Sequence, residues 1–335
     1  MKKTLRYLRP LASITSAALF VYVLERTGPA TVLDKMRLLG WGFAVLMLLS
    51  GVRQVLRAVA WSYCVEAGGP RPDPLSLFGP RLMGDALNDL TPAGPLLGEP
   101  AKVLAVSGLI PAQEGAASVV IENLVYALAA FLFMLSGTVL AMVKLASLHG
   151  LRWFGGGLVI CFAASITVVC WILNRRILLL RRTLDYLKRV GLRWAFLDRH
   201  QRHVLVVEQA IHDFFLTRRR IFLAVLAIEI ATNFTGVGEA YLILRATASH
   251  ASFSAAYLVE SASRAVQFAF SFVPLGLGIQ EGAAAAILQA FGYAASEGVS
   301  LAIIRKARTV LWIAVGLLFA AKYSIALPAG ERSAS

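Results

Sequence analysis

Charged residues are scarce in this sequence, since Asp, Glu, Lys and Arg make up only 16% of its 335 residues. Soluble domains carry about 25% charged residues and have no long apolar runs. Here 58% of the residues are hydrophobic, and apolar runs recur along the chain. The composition excludes a soluble globular protein. It predicts an all-α polytopic integral membrane protein with a single transmembrane domain over residues 1–335.

The sequence also lacks the residue patterns of common enzymes and metal sites. Its three cysteines, Cys64, Cys161 and Cys170, lie in apolar runs without metal-ligand spacing, which argues against disulfides and zinc sites. No HExxH, Walker A or GxSxG motif is present, and no acidic cluster suits a metal-dependent glycosyltransferase. We therefore expect a protein that is not an enzyme and that uses no cofactor.

Acidic residues are outnumbered, and the formal net charge is +14. The basic residues lie between apolar runs, where they set membrane topology, so nucleic acid is not an expected partner. The most basic segment is 174–220, in which Lys and Arg number 12 against 4 Asp and Glu. Its apolar residues recur at helical spacing, which predicts a basic amphipathic cytoplasmic connector on the membrane surface. A loop that only fixes topology is the alternative.

Two stretches combine a Pro/Gly break with a carboxylate and a short apolar run. In both, the glutamate follows the proline by seven positions, as Glu99 follows Pro92 and Glu281 follows Pro274. The residues predicted to break the helices are Pro92, Gly94, Pro274 and Gly276. Irregular backbone at membrane depth must be buried in protein or line a cavity. We therefore predict two re-entrant helical hairpins that belong to an internal repeat.

The distribution of basic residues orients the two halves of the chain oppositely. The first repeat half is 1–173, the second is 221–327, and 328–335 is a tail. Helical segments are predicted at 11–24, 41–65, 75–90, 101–109, 113–148, 153–173, 221–246, 253–273, 283–291 and 296–327. The basic head, the connector and the tail belong in the cytoplasm. The first hairpin then enters from the cytoplasm and the second from outside, which makes the two halves inverted-topology repeats.

Many charged residues lie within or beside these spans, where an isolated charge costs about 2.5–3.5 kcal/mol. The candidate substrate-contacting residues are Glu99, Glu281, Arg57, Arg264, Lys102, Arg53, Glu122, Glu260 and Arg305, and Glu229 and Arg308 are further charges in the spans. Together they predict an internal polar cavity. The abundant arginines suit a phosphate group. Alternatively, the charges form permanent salt bridges, such as Glu260 with Arg264 four residues later.

The two broken stretches resemble signature stretches of a known membrane family. Thr91-Pro92-Ala93-Gly94 followed by Gly98-Glu99, and the stretch from Pro274 to Glu281, are similar to the lysylphosphatidylglycerol synthase transmembrane, or flippase-like, family. The resemblance covers residues 11–323. It implies two re-entrant hairpins, a role in moving lipids or lipid-linked molecules, and functional roles for Glu99, Glu281, Arg57 and Arg264.

Two features depart from the family pattern. Leu97-Gly98-Glu99 stands where Gly-Gly-Glu is typical, and Lys102 stands where Arg is usual. The soluble aminoacyl-transferase domain of the full synthases is not expected in this chain, so lysine transfer is not an expected activity.

Two functions remain open from the sequence. The first is translocation of a lipid or lipid-linked intermediate across the cytoplasmic (inner) membrane, driven by a gradient, a partner or the lipid gradient itself. The second is a non-transporting accessory protein that binds an anionic or polyisoprenoid lipid and assists an enzyme of envelope glycolipid biosynthesis. In both, the expected partner is a membrane lipid, either an anionic phospholipid or a lipid-linked sugar.

Overall fold

The structure is a computed structural model that describes residues 37, 39–65, 71–91, 94–144, 149–174, 207–248, 250–270 and 279–326. Several sequence predictions lie outside these residues. They are the first span at 11–24, the connector up to residue 206, the breaks at Pro92, Pro274 and Gly276, and the tail.

The described part of the chain is helical, which confirms the all-α prediction for that part. The helices are α1 (Trp41–Cys64), α2 (Pro74–Leu90), α3 (Gly94–Val106), α4 (Ala112–Lys144), α5 (His149–Asn174), α6 (Arg219–Thr247), α7 (Phe253–Ala269), α8 (Ile279–Ala290) and α9 (Ala295–Ala326). Residues 207–217, at the end of the predicted connector, are also helical.

Three helices, α1, α4 and α6, are long and apolar enough to cross a membrane. They also expose large apolar side chains, as expected for a surface in contact with lipid; examples are Trp41, Leu48, Val143, Leu223 and Phe234. Helix α9 has 32 residues but carries Arg305, Lys306 and Arg308 in its first half. Its interior therefore needs partners for these charges.

Both helices that follow the predicted breaks begin earlier than the sequence indicated. Helix α3 starts at Gly94, so the predicted break residue Gly94 and the carboxylate Glu99 are both helical. Pro95 follows the first residue, where a helix tolerates proline because the first N–H groups have no intrahelical acceptor. Helix α8 starts at Ile279, which places Glu281 in its first turn. The two carboxylates thus lie on helices just after the breaks.

The chain forms two compact units. The first contains α1 up to Gln54, α2, nearly all of α3, α6 from Thr235, and α7 to α9. The second contains α1 from Val55, α4, α5, the helical residues 207–217 and α6 up to Phe234. Each unit therefore draws on both predicted halves of the sequence. Both segments that follow a predicted break belong to the first unit.

In the first unit, α2 and α3 form an antiparallel hairpin with very close helix packing. The position of a Cβ on Gly84 is occupied by the Lys102 side chain, and that of a Cβ on Gly98 by Asn88 and the Gly84 carbonyl oxygen. The turn between the helices is closed by the Gly94 N–H, which donates to the Thr91 carbonyl at 3.0 Å. Two glycines therefore allow the backbones to approach at the level of the charged side chains.

Helix α2 also packs along α9 in the opposite direction. Gly79 lies against Phe319, and Gly316 lies against the Leu82 carbonyl. At the other end of this contact, a small apolar core forms from Ala86, Leu90, Val310 and Ile313. This packing fixes α9 next to the first hairpin, within the same unit.

In the second unit, α4 holds the other helices through a few specific contacts. The Trp61 indole N–H of α1 donates to Ser118 at 3.0 Å. Phe133 meets Phe234 of α6 edge-to-face, with ring centroids 5.9 Å apart. Met142 fills the space beside Gly155 of α5. These contacts position Arg57 and its partners, described below.

Helices α1–α4 and α6–α9 have the same order of lengths. They contain 24, 17, 13 and 33 residues in the first series. The second series has 29, 17, 12 and 32 residues. This agreement supports the internal repeat, whereas opposite membrane orientation and re-entrant hairpins stay predictions.

Candidate functional site

Helix α9 carries three cations that contact carboxylates on three different helices. Arg305 contacts Glu260 of α7, Lys306 contacts Glu281 of α8, and Arg308 contacts Glu239 of α6. The cations lie within four consecutive residues, so a single helical turn connects α9 to three neighbours. All belong to the first unit.

Glu260 lies between two arginines. The Arg264 Nε donates to its Oε1 at 3.1 Å, and the Arg305 Nη2 donates to its Oε2 at 2.5 Å. Arg305 Nη2 also donates to the Gly236 carbonyl of α6 at 3.0 Å. Gly236 is required here because a Cβ would collide with the Glu260 carboxylate. The predicted contact between Glu260 and Arg264 is confirmed, and Arg305 is a second partner of the same carboxylate.

Glu239 is also shared by two arginines and is 1% exposed. It accepts from Arg308 and lies 3.5 Å from Arg53 Nη1 of α1. Asp89 of α2 interacts electrostatically with Arg308. Glu239 and Glu260 therefore each face two guanidinium groups.

A second cluster lies in the α2–α3 hairpin around Lys102, which is 2% exposed. Lys102 Nζ lies 2.9 Å from Asp85 Oδ1 and 3.2 Å from Glu99 Oε1. Asn88 Nδ2 donates to the same Glu99 oxygen at 2.9 Å. Arg81 lies 3.7 Å from Asp85. The predicted site residues Glu99 and Lys102 are therefore in direct contact.

In the second unit, the predicted residues Arg57 and Glu122 form an ion pair at 3.4 Å. Arg57 Nε also lies 4.0 Å from Glu229, and its guanidinium stacks over the Tyr126 ring at 4.5 Å. Glu229 is fully buried and accepts from Thr232 at 3.2 Å. Arg57 thus joins α1, α4 and α6 within this unit.

The structure places the predicted residues in three clusters. The network around α9 contains Glu260, Arg264, Arg305, Glu281 and Arg53, the α2–α3 hairpin contains Glu99 and Lys102, and Arg57 pairs with Glu122. Arg57 and Arg264 belong to different units. Glu99 and Glu281 contact different lysines, and a shared cavity for these two carboxylates stays a prediction.

Sequence reasoning left several network members out of the candidate site. They are Arg81, Asp85, Asn88, Glu229, Glu239, Lys306 and Arg308. All but Asn88 are charged residues within or beside apolar segments. The criterion used for the other candidates, a charge in or beside a predicted span, therefore applied to them too. Asn88 carries no comparable sequence signal, because its role depends on the close approach of α3.

The arrangement provides no group of three or more His, Cys, Asp and Glu side chains suited to a metal ion within the described residues. Its chemistry is instead that of guanidinium and ammonium groups around buried carboxylates. Such networks inside apolar helices define a class of helical membrane proteins with an internal polar site.

The comparison with known families identifies the group more narrowly. Residues 10–316 match the family described as the lysylphosphatidylglycerol synthase TM region. The chain belongs to this family, which confirms the resemblance seen in the sequence. No curated protein matches significantly, and neither does any solved structure. Family membership identifies a membrane domain related to lipid biosynthesis or flipping.

Proposed function

We propose that this protein translocates a lipid or lipid-linked intermediate with an anionic, phosphate-containing head group across the cytoplasmic membrane. The main supporting observation is that Glu239 and Glu260 are each shared by two arginines inside the first unit. An incoming phosphodiester would compete with these carboxylates for the guanidinium groups.

The physical requirement for translocation is replacement of hydration. A charged head group loses its water when it enters hydrocarbon, and the cost falls only where protein groups replace those hydrogen bonds. Guanidinium groups bind phosphate oxygens through parallel N–H bonds, which makes Arg264 and Arg305 suitable partners. Glu260 occupies these donors when no substrate is bound.

The hairpin carboxylates act on the same cycle through lysine contacts. Glu99 contacts Lys102, and Glu281 contacts Lys306. A phosphate that competes for either lysine would release its carboxylate, which could then accept from an amine or hydroxyl of the head group. No covalent step is needed, so we propose a transporter that is not an enzyme.

We further propose the membrane arrangement predicted from the basic residues. Both termini are cytoplasmic, and the two series of helices have opposite orientation with re-entrant hairpins. The equal order of helix lengths in α1–α4 and α6–α9 supports this proposal. We also propose that the protein partner is a lipid-biosynthesis enzyme that supplies or uses the lipid.

Neutralising the hairpin carboxylates tests the function directly. In proteoliposomes with acyl-labelled phosphatidylglycerol, Glu99→Gln and Glu281→Gln should each slow translocation at least about tenfold, equivalent to ~1.4 kcal/mol on the barrier. The amide keeps the size but loses the charge that opposes the lysine. The fraction of label protected from an external quencher, followed over time, gives the rate.

Glu297→Gln is a matched control, because Glu297 accepts from the Ala294 N–H at the exposed start of α9. It should transport like wild type, and all variants should keep their thermal midpoint. Normal transport by both hairpin variants, or no transport of any phospholipid or polyisoprenyl phosphate by the wild type, would contradict the proposal. The second outcome, with lipid binding retained, would favour the accessory function.

A further inference from the structure

In the first unit, α1 and α9 carry several buried polar atoms that have no hydrogen-bond partner among the described residues. On α9 they are the Arg308 Nε and the Trp312 indole nitrogen. On α1 they are the Ser50 hydroxyl oxygen and the Gln54 side-chain oxygen. We refer to these four residues as the α1–α9 seam.

The seam is continuous with the arginine network. Arg305 and Arg308 are three residues apart and Trp312 is four residues further, so the three side chains lie on one face of α9. Arg305 Nε likewise has no partner among the described residues. Three N–H donors thus follow one another along roughly 10 Å of helix.

Close packing brings α1 next to this face. The Trp312 ring lies against Gly51, where an added Cβ would be 3.7 Å from the ring edge. Ser50 is fully buried. Ser50 and Gln54 are four residues apart, so they share one face of α1. The polar atoms of the seam are therefore covered by the unit, although Gln54, Arg308 and Trp312 are themselves only half-buried.

A buried donor without an acceptor costs about 1–3 kcal/mol, and more if it is charged. Proteins retain few such groups, and each calls for a physical explanation. Inside an apolar unit, water does not compensate them cheaply. The donors on α9 have the chemistry that recognises the two non-bridging oxygens of a phosphodiester.

We propose that the α1–α9 seam is a second binding station for the phosphodiester of a lipid head group, with Arg308 Nε and Trp312 Nε1 as donors. The proposal rests on the function proposed above. It adds a path: the phosphodiester moves along α9 from Arg305 toward Trp312, and each step exchanges one set of N–H donors for the next.

The test measures binding of short-chain phosphatidylglycerol to the full-length protein in detergent. Trp312→Phe keeps an aromatic ring but removes the N–H, and Arg308→Lys keeps the charge but removes Nε. Each should weaken binding about tenfold, as expected for loss of one hydrogen bond to a charged group. Trp171→Phe is the matched control, since Trp171 is 55% exposed on α5, and its affinity should equal that of wild type.

The thermal unfolding transition without lipid shows whether the variant is folded. Trp312→Phe loses the ring edge that packs against Gly51, so its midpoint should fall slightly while the transition stays cooperative. Affinity for phosphatidylglycerol equal to wild type would overturn the proposal. Equal weakening for short-chain diacylglycerol, which lacks phosphate, would also overturn it.

Inorganic phosphate distinguishes the two sources of the same chemistry. It should compete only at much higher concentration than the lipid, and comparable affinity would overturn the assignment to a lipid phosphodiester. If wild type transports lipid and Trp312→Phe transports at the same rate, only the seam proposal fails. If wild type neither binds nor transports phospholipid, the proposed function fails as well.

Discussion

At the scale of single residues, arginine and lysine make different contacts in this protein. Arginines form the shared contacts with Glu239, Glu260 and Glu122, where a rigid planar group contacts more than one neighbour. Lysines contact the two hairpin carboxylates, Glu99 and Glu281. A lysine ammonium is a compact charge on a flexible stem, so its partner is exchanged more easily. These two lysine contacts are thus the ones best suited to change in the proposed transport cycle.

Removal of the Arg57 side chain should destabilise the protein, because it leaves the buried Glu122 and Glu229 without their shared cation. Breaking a buried pair costs about 3–5 kcal/mol, and the partial exposure of Arg57 reduces this to roughly 2–3 kcal/mol. Arg57→Ala should therefore lower the midpoint of thermal unfolding in detergent by several degrees.

Arg71→Ala serves as the comparison, since Arg71 is exposed and only stacks over the Tyr63 ring at 4.7 Å. It should change stability by no more than about 1 kcal/mol. Equal midpoints for Arg57→Ala and wild type would show that this arginine does not stabilise the second unit.

At the scale of helices, glycine determines which charged side chains meet. Gly84 and Gly98 allow α2 and α3 to approach, and Gly236 allows Glu260 to lie against α6. Gly316 has the same function where α9 crosses α2. The polar site therefore depends on close backbone packing, and it would change if any of these helices moved apart.

Gly98→Ala tests this dependence. The new methyl group would collide with Asn88 and the Gly84 carbonyl oxygen, and overpacking of this kind typically costs about 1–3 kcal/mol. We expect a lower thermal midpoint and loss of transport, because Asn88 could no longer hold Glu99. Differential scanning fluorimetry and the proteoliposome assay would measure the two effects.

Gly282→Ala is the control in the same unit, because among the described residues no atom outside its own helix backbone lies within 4 Å of its Cβ position. Its stability should be unchanged or slightly higher, since alanine favours helix by up to about 1 kcal/mol. Wild-type stability and transport for Gly98→Ala would show that α2 and α3 do not need this close contact.

At the scale of the whole molecule, the two compact units do not coincide with the two similar series of helices. Each unit takes helices from both series, and α1 and α6 contribute residues to both units. The unit that contains α2, α3, α7 and α8 also contains α9 and its three cations. The proposed head-group contacts around α9 and in the α2–α3 hairpin therefore lie within one unit.

The predicted opposite orientation of the two series is tested by cysteine labelling in intact cells. With Cys64, Cys161 and Cys170 replaced, a cysteine at Pro111 should react with impermeant reagent only from the cytoplasm, and one at Ala294 only from outside. Both positions are exposed at the ends of hairpins. Labelling of both from the same side would exclude inverted topology.

The sequence by itself determined the class, the family and most helices of this protein. Hydrophobic length and charge scarcity identify membrane helices because a bilayer imposes a strict length and polarity on each span. Predicted and observed helix ends agree within four residues for most described segments, for example 41–65 against Trp41–Cys64. The starts of α3 and α8 differ because α3 has Pro95 in its first turn, where proline is tolerated, and continues through Pro100, and because α8 includes Gly282. Sequence spacing also found the Glu260–Arg264 pair, which lies within one helix.

Only the tertiary structure decided which charges share a site. Arg305, Lys306 and Arg308 are neighbours in sequence, yet each contacts a carboxylate on a different helix, because successive helical positions point about 100° apart. Asn88 and Trp312 are uncharged, so the charge criterion does not select them. Asn88 contacts Glu99, eleven residues away, and Trp312 contacts Gly51 on another helix. Long-range contacts depend on how helices pack, and packing depends on small residues such as Gly51 and Gly98 whose effect is visible only in three dimensions.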